Sequence, residues 1–316
     1  MTIPQWATEI TSSVRTAFQG SQSTVETLLV ALLCRGHVLI EDVPGVGKTV
    51  LAHAVAACLG GRFNQVQCTP DLLPADVLGV SIFNQATGEF EFREGPVMTN
   101  VLLVDEISRA TPRTQSALLE AMAEGQVSVE GRSLPLPDPF LLIATESPVE
   151  SEGTFPLPEV QKDRFFLSMH LGYPDHAAEL AIMTGQRNAR SPLAALRPIV
   201  PIEELVEMQR KVLAVHVSPL LRRYILSLVT RTRADARLTL GVSPRGSLAL
   251  YKGAQAMAAM RGREYAVAED VRDLAVPVLR KRLILRDDAS TRGLKEEDLL
   301  RELLDTVPVP PLGEEA

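Results

Sequence analysis

Aromatic side chains make up only 4% of the 316 residues, and tryptophan occurs once. Cysteine is scarcer than either proline or glycine: Cys34, Cys58 and Cys68 are the whole supply. The number is odd and no pair has CxxC spacing, so a disulfide framework is excluded and reduced thiols are predicted. Long apolar runs are missing as well. None approaches the roughly 18 residues a membrane-spanning helix needs, so any membrane role would be indirect. The opening MTIPQWATEI has neither a basic start nor an apolar core, which predicts no export signal and a cytoplasmic location. Positive charge is not in excess. Lysine and arginine total 32 against 39 acidic residues, a net charge of −7. That balance argues against a nucleic-acid binder resting on phosphate neutralisation. His37, His53, His170, His176 and His216 show no metal-ligand spacing. Ser147, Ser151 and Ser168 lack the Gly-x-Ser-x-Gly frame of a serine hydrolase.

What is present is a large apolar content, 46%, enough for a sizeable core and, at this length, for two domains. The first 35 residues read as two helices broken at Gly20-Ser21. The period then shortens. Short apolar runs at 37–41, 63–67, 101–104, 140–144 and 165–170 have strand length, and helical stretches such as 113–124 separate several of them. Such alternation predicts an α/β fold with a parallel sheet covered on both faces. Two hairpins, 80–83 with 89–92 and 126–129 with 132–136, interrupt the pattern. After Tyr173-Pro174 the chain turns mainly helical. Ser218-Pro219 and Ser243-Pro244 each place serine at an N-cap and proline at the first helical position. A boundary near 175 is therefore expected, dividing 1–174 from 175–316, with a proline-rich tail at 306–312. Met257 and Met260 lie at helical spacing and read as core, and the acidic run 296–298 reads as a solvated helix face.

The chemistry concentrates in two places. Asp42-Val-Pro44-Gly45-Val46-Gly47-Lys48-Thr49 sits between a predicted strand and a predicted helix. Gly45 and Gly47 let the backbone turn its N–H groups toward phosphate, and the following helix adds donors and a favourable dipole. Lys48 is a point charge for the β and γ phosphates, and the Thr49 hydroxyl suits Mg²⁺. Pro44 through Val50 are the expected ATP-binding residues. The strict pattern begins with glycine, and here that place is Asp42. The second place is Asp105-Glu106, at the end of the apolar strand 101–104. Asp105 would support Mg²⁺, and Glu106 would orient or deprotonate the attacking water.

These stretches resemble the MoxR-type AAA+ ATPases. The resemblance is carried by EDVPGVGKT at 41–49, CTPDLLPADVLG at 68–79, EFEFREGPV at 89–97, the run at 102–131, EGTFPLPEVQKDRFF at 152–166 and GVSPRGSLAL at 241–250. It implies an AAA+ core with a five-stranded parallel sheet flanked by helices, plus a smaller all-helical lid, working as a ring, usually a hexamer, with ATP between subunits. On the resemblance, Arg164 matches the arginine finger and Arg245 the sensor-2 arginine. The two hairpins match inserts that approach the pore or substrate face. The implied activity is ATP hydrolysis driving chaperone-like remodelling, or cofactor or metal insertion, in protein clients that often carry a von Willebrand factor A domain. Two departures stand out. Glu146-Ser147 replaces the usual Gln-Asn pair, so Ser147 takes the place of the asparagine that helps place water. Lys162 replaces a usually apolar residue beside the finger, where it could adjust a subunit contact. The alternative reading is a nucleotide-gated scaffold with little hydrolysis.

Overall fold

A computed structural model of the chain describes residues 1–129, 131–147, 153–185 and 192–309. Pro148, Ser151, Glu152, the Glu130 of the second hairpin turn and Pro310 to Leu312 of the tail lie outside the described residues. The elements run in the order α1 (Ile3–Ala17), α2 (Gln22–Leu33), β1 (Val38–Glu41), α3 (Lys48–Leu59), β2 (Phe63–Gln67), α4 (Pro74–Leu78), β3 (Gly79–Asn84) and β4 (Glu89–Glu94). There follow β5 (Val101–Asp105), α5 (Pro112–Glu124), β6 (Gln126–Val129), β7 (Arg132–Pro135), β8 (Leu141–Glu146), α6 (Glu159–Lys162) and β9 (Leu167–Met169). The second half holds α7 (His176–Gly185), α8 (Ile202–Val212), α9 (Pro219–Ala234), β10 (Leu238–Leu240), α10 (Pro244–Met260), α11 (Ala268–Leu279), β11 (Ile284–Leu285), α12 (Asp287–Thr291) and α13 (Glu296–Thr306).

The expected five-stranded parallel sheet is there, in the order β2-β5-β8-β1-β9. Because successive side chains point to opposite faces, each strand serves two cores. Val38, Ile40, Val101, Leu103, Leu141 and Ile143 pack with α1, α2 and α3. Leu39, Leu102, Val104, Leu142 and Ala144 pack with α4 and α5. This alternation decides which face each residue beyond the cores will occupy. Asp105 and Thr145 fall on the α3 face, and Glu41 and Glu146 on the α5 face.

The two expected hairpins form as β3–β4 and β6–β7. On β3–β4, Phe83 and Phe90 face each other in register, rings 5.3 Å apart, and both are exposed. The second half is helical, with one addition: β10 and β11 pair as a short antiparallel ribbon. The position near 175 falls between β9 and α7, yet a single hydrophobic cluster runs from Trp6 and Leu51 to Leu250 and Leu274. The helical half thus shares its core with the α3 side of the sheet. Ser218 caps α9 through Leu221 N–H. Ser243 stands at the N-cap of α10 but makes no capping bond; its hydroxyl goes to Asp163 instead.

Candidate functional site

The loop between β1 and α3 carries two glycines in the left-handed region, Gly45 at φ 87° and Gly47 at φ 94°. A side chain at either would be strained, although at Gly45 there is open space for one. Among the described residues no protein group accepts from the N–H groups of Gly45, Val46, Gly47, Lys48 or Thr49. Pro44 and Gly45 are exposed, while Val46, Gly47, Thr49 and Val50 are half-buried. Lys48 Nζ donates to the carbonyl oxygens of Asp42, at 2.7 Å, and Val43, at 3.4 Å. Five free donors, an ammonium group at their side and a helix N-terminus suit the oxygens of a polyphosphate.

Asp42, the departure from the glycine pattern, holds this loop in place. Its Oδ1 accepts from Val43 N–H, and its Oδ2 accepts from Leu171 N–H and Gly172 N–H, both at 2.7 Å. The start of the loop is thereby tied to the chain leaving β9. A glycine there would supply none of these acceptors.

Beside the loop, Asp105 Oδ1 accepts from the Thr145 hydroxyl at 2.6 Å, and Thr145 Oγ1 in turn accepts from Glu106 N–H at 2.8 Å. Glu106 has a left-handed backbone, φ 55°, which costs a non-glycine residue roughly 1 kcal/mol and is found where surroundings enforce it. The bond to Thr145 is that enforcement. It lets adjacent carboxylates leave the strand in different directions. The Glu106 carboxylate is held by Arg109 at 2.9 Å. Behind them Cys68, the buried residue after β2, has its thiol pushed up to about 12 by burial and by Asp105 and Glu106, so it is inert. Asp105 and Thr49 are the residues suited to Mg²⁺: hard oxygen donors, few in number, as expected where the substrate's own oxygens complete the shell.

Glu146 does not join this group. It lies on the opposite sheet face, in register with Glu41 on β1. Burial raises its pKa, Lys162 opposes this, Glu41 adds to it and Lys281 lowers it again. Its position therefore keeps the extra acid away from Asp105. Lys162, with a side chain 14% exposed, pairs with Glu159 at 3.3 Å and acts as a counter-charge for Glu146. Ser147 follows directly after β8, one residue from Glu146 and two from Thr145.

Arg164 is exposed, and its Nη1 donates to Leu119 O at 3.3 Å. It has no carboxylate partner among the described residues, unlike a surface salt-bridge arginine. Arg245 lies in the same region, 3.8 Å from Asp163, and is itself largely exposed. The structure thus brings the 152–166 and 241–250 stretches together at Asp163, which also accepts from Ser243 and Arg282.

Sequence reasoning missed a second group of charges. Arg280, 4% exposed, bonds Ser168 Oγ, Glu41 and Glu297, and Lys281 reaches Glu41 at 2.8 Å. Glu297 also receives His170 at 3.6 Å and Arg301 at 3.3 Å. The acidic run 296–298 is therefore partly structural and not simply a solvated face. No sequence signal pointed to Arg280 or Lys281; their partners are far away along the chain.

A family model described as "ATPase family associated with various cellular activities (AAA)" matches residues 37–167, and one described as "AAA lid domain" matches residues 230–303. YeaC of Bacillus subtilis is 48% identical over 89% of this chain and 88% of its own length. Chaperone MoxR1 of Mycobacterium tuberculosis is 40% identical over 94% of this chain and 80% of its own. The crystal structure of a candidate ATPase from Cytophaga hutchinsonii superposes with a TM-score of 0.91 at 35% identity, covering 98% of this chain and 96% of that one. The chain belongs to the MoxR family of AAA+ ATPases.

Proposed function

We propose that this chain hydrolyses ATP as one subunit of a ring, hexameric as the resemblance implies, and uses the cycle to remodel partner proteins. The observation that carries the reading is the loop at 45–49: five N–H donors without a protein acceptor among the described residues, with the Lys48 ammonium group on the same loop, in a fold whose sheet also carries the Asp105–Thr145–Glu106 group at its strand ends. ATP is the substrate of that loop. Lys48 would leave the carbonyls of Asp42 and Val43 for the phosphates. Thr49 and Asp105 would hold Mg²⁺, which supplies charge neutralisation on the phosphate oxygens. Glu106 would position and deprotonate water once released from Arg109, with the Ser147 hydroxyl close by as a polar contact. Arg164, exposed and without a carboxylate, would enter the site of the neighbouring subunit, where a planar permanent charge suits the developing γ-phosphate charge. Arg245 would act from the same region on phosphate and report lid position.

The β3–β4 hairpin, with Phe83 and Phe90 exposed, is suited to touching an apolar stretch of a client. The relative named Chaperone MoxR1 supports a chaperone-like role, and the family resemblance implies clients in need of maturation, including von Willebrand factor A domain proteins. A cytoplasmic setting is consistent with the absence, among the described residues, of any helix long and apolar enough to cross a membrane. The scaffold alternative has one observation in its favour: the Arg109 ion pair engages the carboxylate that would act as base.

The test is the steady-state ATPase rate per subunit against protein concentration, with Mg²⁺. A rate that rises with concentration and is abolished by both Glu106→Gln and Arg164→Ala supports an interface ATPase. Tight ATP binding with no turnover at any concentration would favour the scaffold.

A further inference from the structure

Arg282 is 7% exposed and stands in the turn Arg280–Arg282 that follows α11. Its guanidinium wraps the chain on either side of Arg164. Nε donates to Asp163 Oδ1 at 3.0 Å, Nη2 to Asp163 O at 3.3 Å and to Phe165 O at 2.6 Å, and Nη1 to Phe166 O at 3.0 Å. Nη1 also donates to Val278 O in the preceding α11. One planar fork therefore fixes the residue before the finger and the two after it, leaving the Arg164 side chain exposed with its single bond to Leu119 O. Lysine has no comparable geometry for four acceptors.

The packing around Arg282 is specific to this arrangement. Gly246 at the start of α10 leaves the space it needs: a Cβ there would meet Arg282 Cδ at 3.1 Å and Val242 at 2.3 Å. Ser243 and Arg245, in the same lid stretch, reach the Asp163 carboxylate from the other side. The two residues before Arg282 hold Glu41, which leads into the phosphate loop. A single lid turn is thus fastened both to the strand that feeds this subunit's own site and to the segment that carries its finger.

We propose that Arg282 is a positioning residue for Arg164, setting the reach of the finger that this subunit offers to its neighbour. This rests on the reading of Arg164 as a finger acting in trans. Loss of the clamp would harm the neighbour's site and leave the subunit's own nucleotide binding intact. A purely structural role would do neither selectively.

The experiment uses the full-length chain with Arg282→Lys, which keeps charge and most of the volume, and Asp163→Asn, which loosens the same clamp from its acceptor side. Each is assayed alone and after mixing in equal amounts with Glu106→Gln subunits, whose fingers and clamps are intact. We expect kcat to fall at least ~10-fold for the variants alone, with KM for ATP changed less than ~2-fold. Mixing should restore activity, since in a head-to-tail ring roughly one interface in four would join a competent site to an intact finger. Arg164→Ala mixed in the same way is the reference. If it is rescued and the clamp variants are not, their defect lies in their own subunit and the proposal is overturned while the trans finger stands. If Arg164→Ala is not rescued either, the trans reading itself fails. A wild-type rate for both clamp variants alone would also overturn the proposal.

Discussion

The phosphate loop and the finger segment are assembled over very different distances along the chain. Lys48 finds its acceptor six residues away, and the loop's shape comes from two glycines within it. The residues flanking Arg164 are held by a residue of the lid, with Arg282 and Asp163 119 positions apart. The loop's turn is thus local, while its anchoring reaches further: Asp42 holds Leu171 and Gly172 after β9, and Arg280 and Lys281 of the lid hold Glu41 before the loop. On the proposed reading, the finger segment would be correctly placed only when the lid is docked. On that reading the loop would bind nucleotide and the finger segment would answer to lid position, as a ring would need if one site is to affect the next.

The sharpest way to break this comparison is to disable each half separately. Arg164→Ala should still bind ATP and lose turnover by roughly 10³-fold, the usual worth of a finger. Lys48→Ala should lose binding and turnover together. Equilibrium titration with a fluorescent ATP analogue, run beside the ATPase assay, separates the two. If Arg164→Ala also lost ATP affinity, the halves would not be independent.

A second test concerns the floor they share. His37, the residue before β1, accepts from Leu142 N–H through Nδ1 and reaches Met122 O through Nε2, and it lies against Phe140. Burial lowers its pKa to about 4, partly offset by the bond to Met122. Between about 4 and the ordinary 6.5 the unfolded chain binds a proton that the folded chain does not. Stability is therefore complete above 6.5 and falls as the pH drops toward 4, by about 2–3 kcal/mol. Urea unfolding at pH 7 and pH 4.5 should show the loss, and His37→Asn should flatten that part of the slope. An unchanged slope in the variant would assign the acid sensitivity to other groups.

Asp42→Gly tests the loop more gently. It restores the glycine of the strict pattern but removes the acceptor of Leu171 and Gly172 N–H groups. About 2 kcal/mol of stability should go with these charge-assisted bonds. ATP affinity should fall too, since the loop would lose its tie to the chain after β9. A more stable or tighter-binding variant would show that Asp42 is a tolerated departure and nothing more.

Much of this was legible in the sequence, for physical reasons that also mark where legibility stopped. Four of the five strands announced themselves as short apolar runs because they are buried on both faces, while β2, at the sheet edge, is only partly buried; α3 and β2 fall at the residues the pattern gave. Lys48, Thr49, Asp105 and Glu106 were visible because their chemistry requires fixed neighbours. Arg280, Lys281 and Arg282 were not. A buried arginine looks in sequence like a solvated one, and only the docking of the lid reveals its acceptors. Ser243 shows the same limit within a correct prediction: the helix starts where Ser-Pro said it would, yet the hydroxyl serves Asp163. Glu297 was read as a solvated charge because its contacts with Arg280 and His170 form only in the folded chain.

Glu146→Gln should have the smallest effect on turnover, and it sharpens the comparison because Glu146 stands next to the site without being part of it. The sheet's alternation sends its side chain to the Glu41 face, away from Asp105 and Thr145. Turnover should then change less than ~2-fold, since no charge that faces phosphate is altered. Stability should respond instead. Burial raises the pKa of Glu146 above the ordinary 4.5, so the folded chain holds that proton more tightly than the unfolded chain. The native carboxyl contributes fully below 4.5 and loses that contribution as the pH rises through its folded pKa. Glutamine stays neutral throughout. Lys162 keeps Glu159 and Lys281 keeps Glu41, so neither is stranded by the change. The variant should therefore be more stable than the parent at pH 8, with the gap narrowing toward pH 5, as read by chemical denaturation. Ser147→Asn, at the position where the family's asparagine would place water, should raise turnover where Glu146→Gln does not. If Glu146→Gln alone raised the rate, the acid would be acting on the phosphate site after all, through a different side-chain position from the one described.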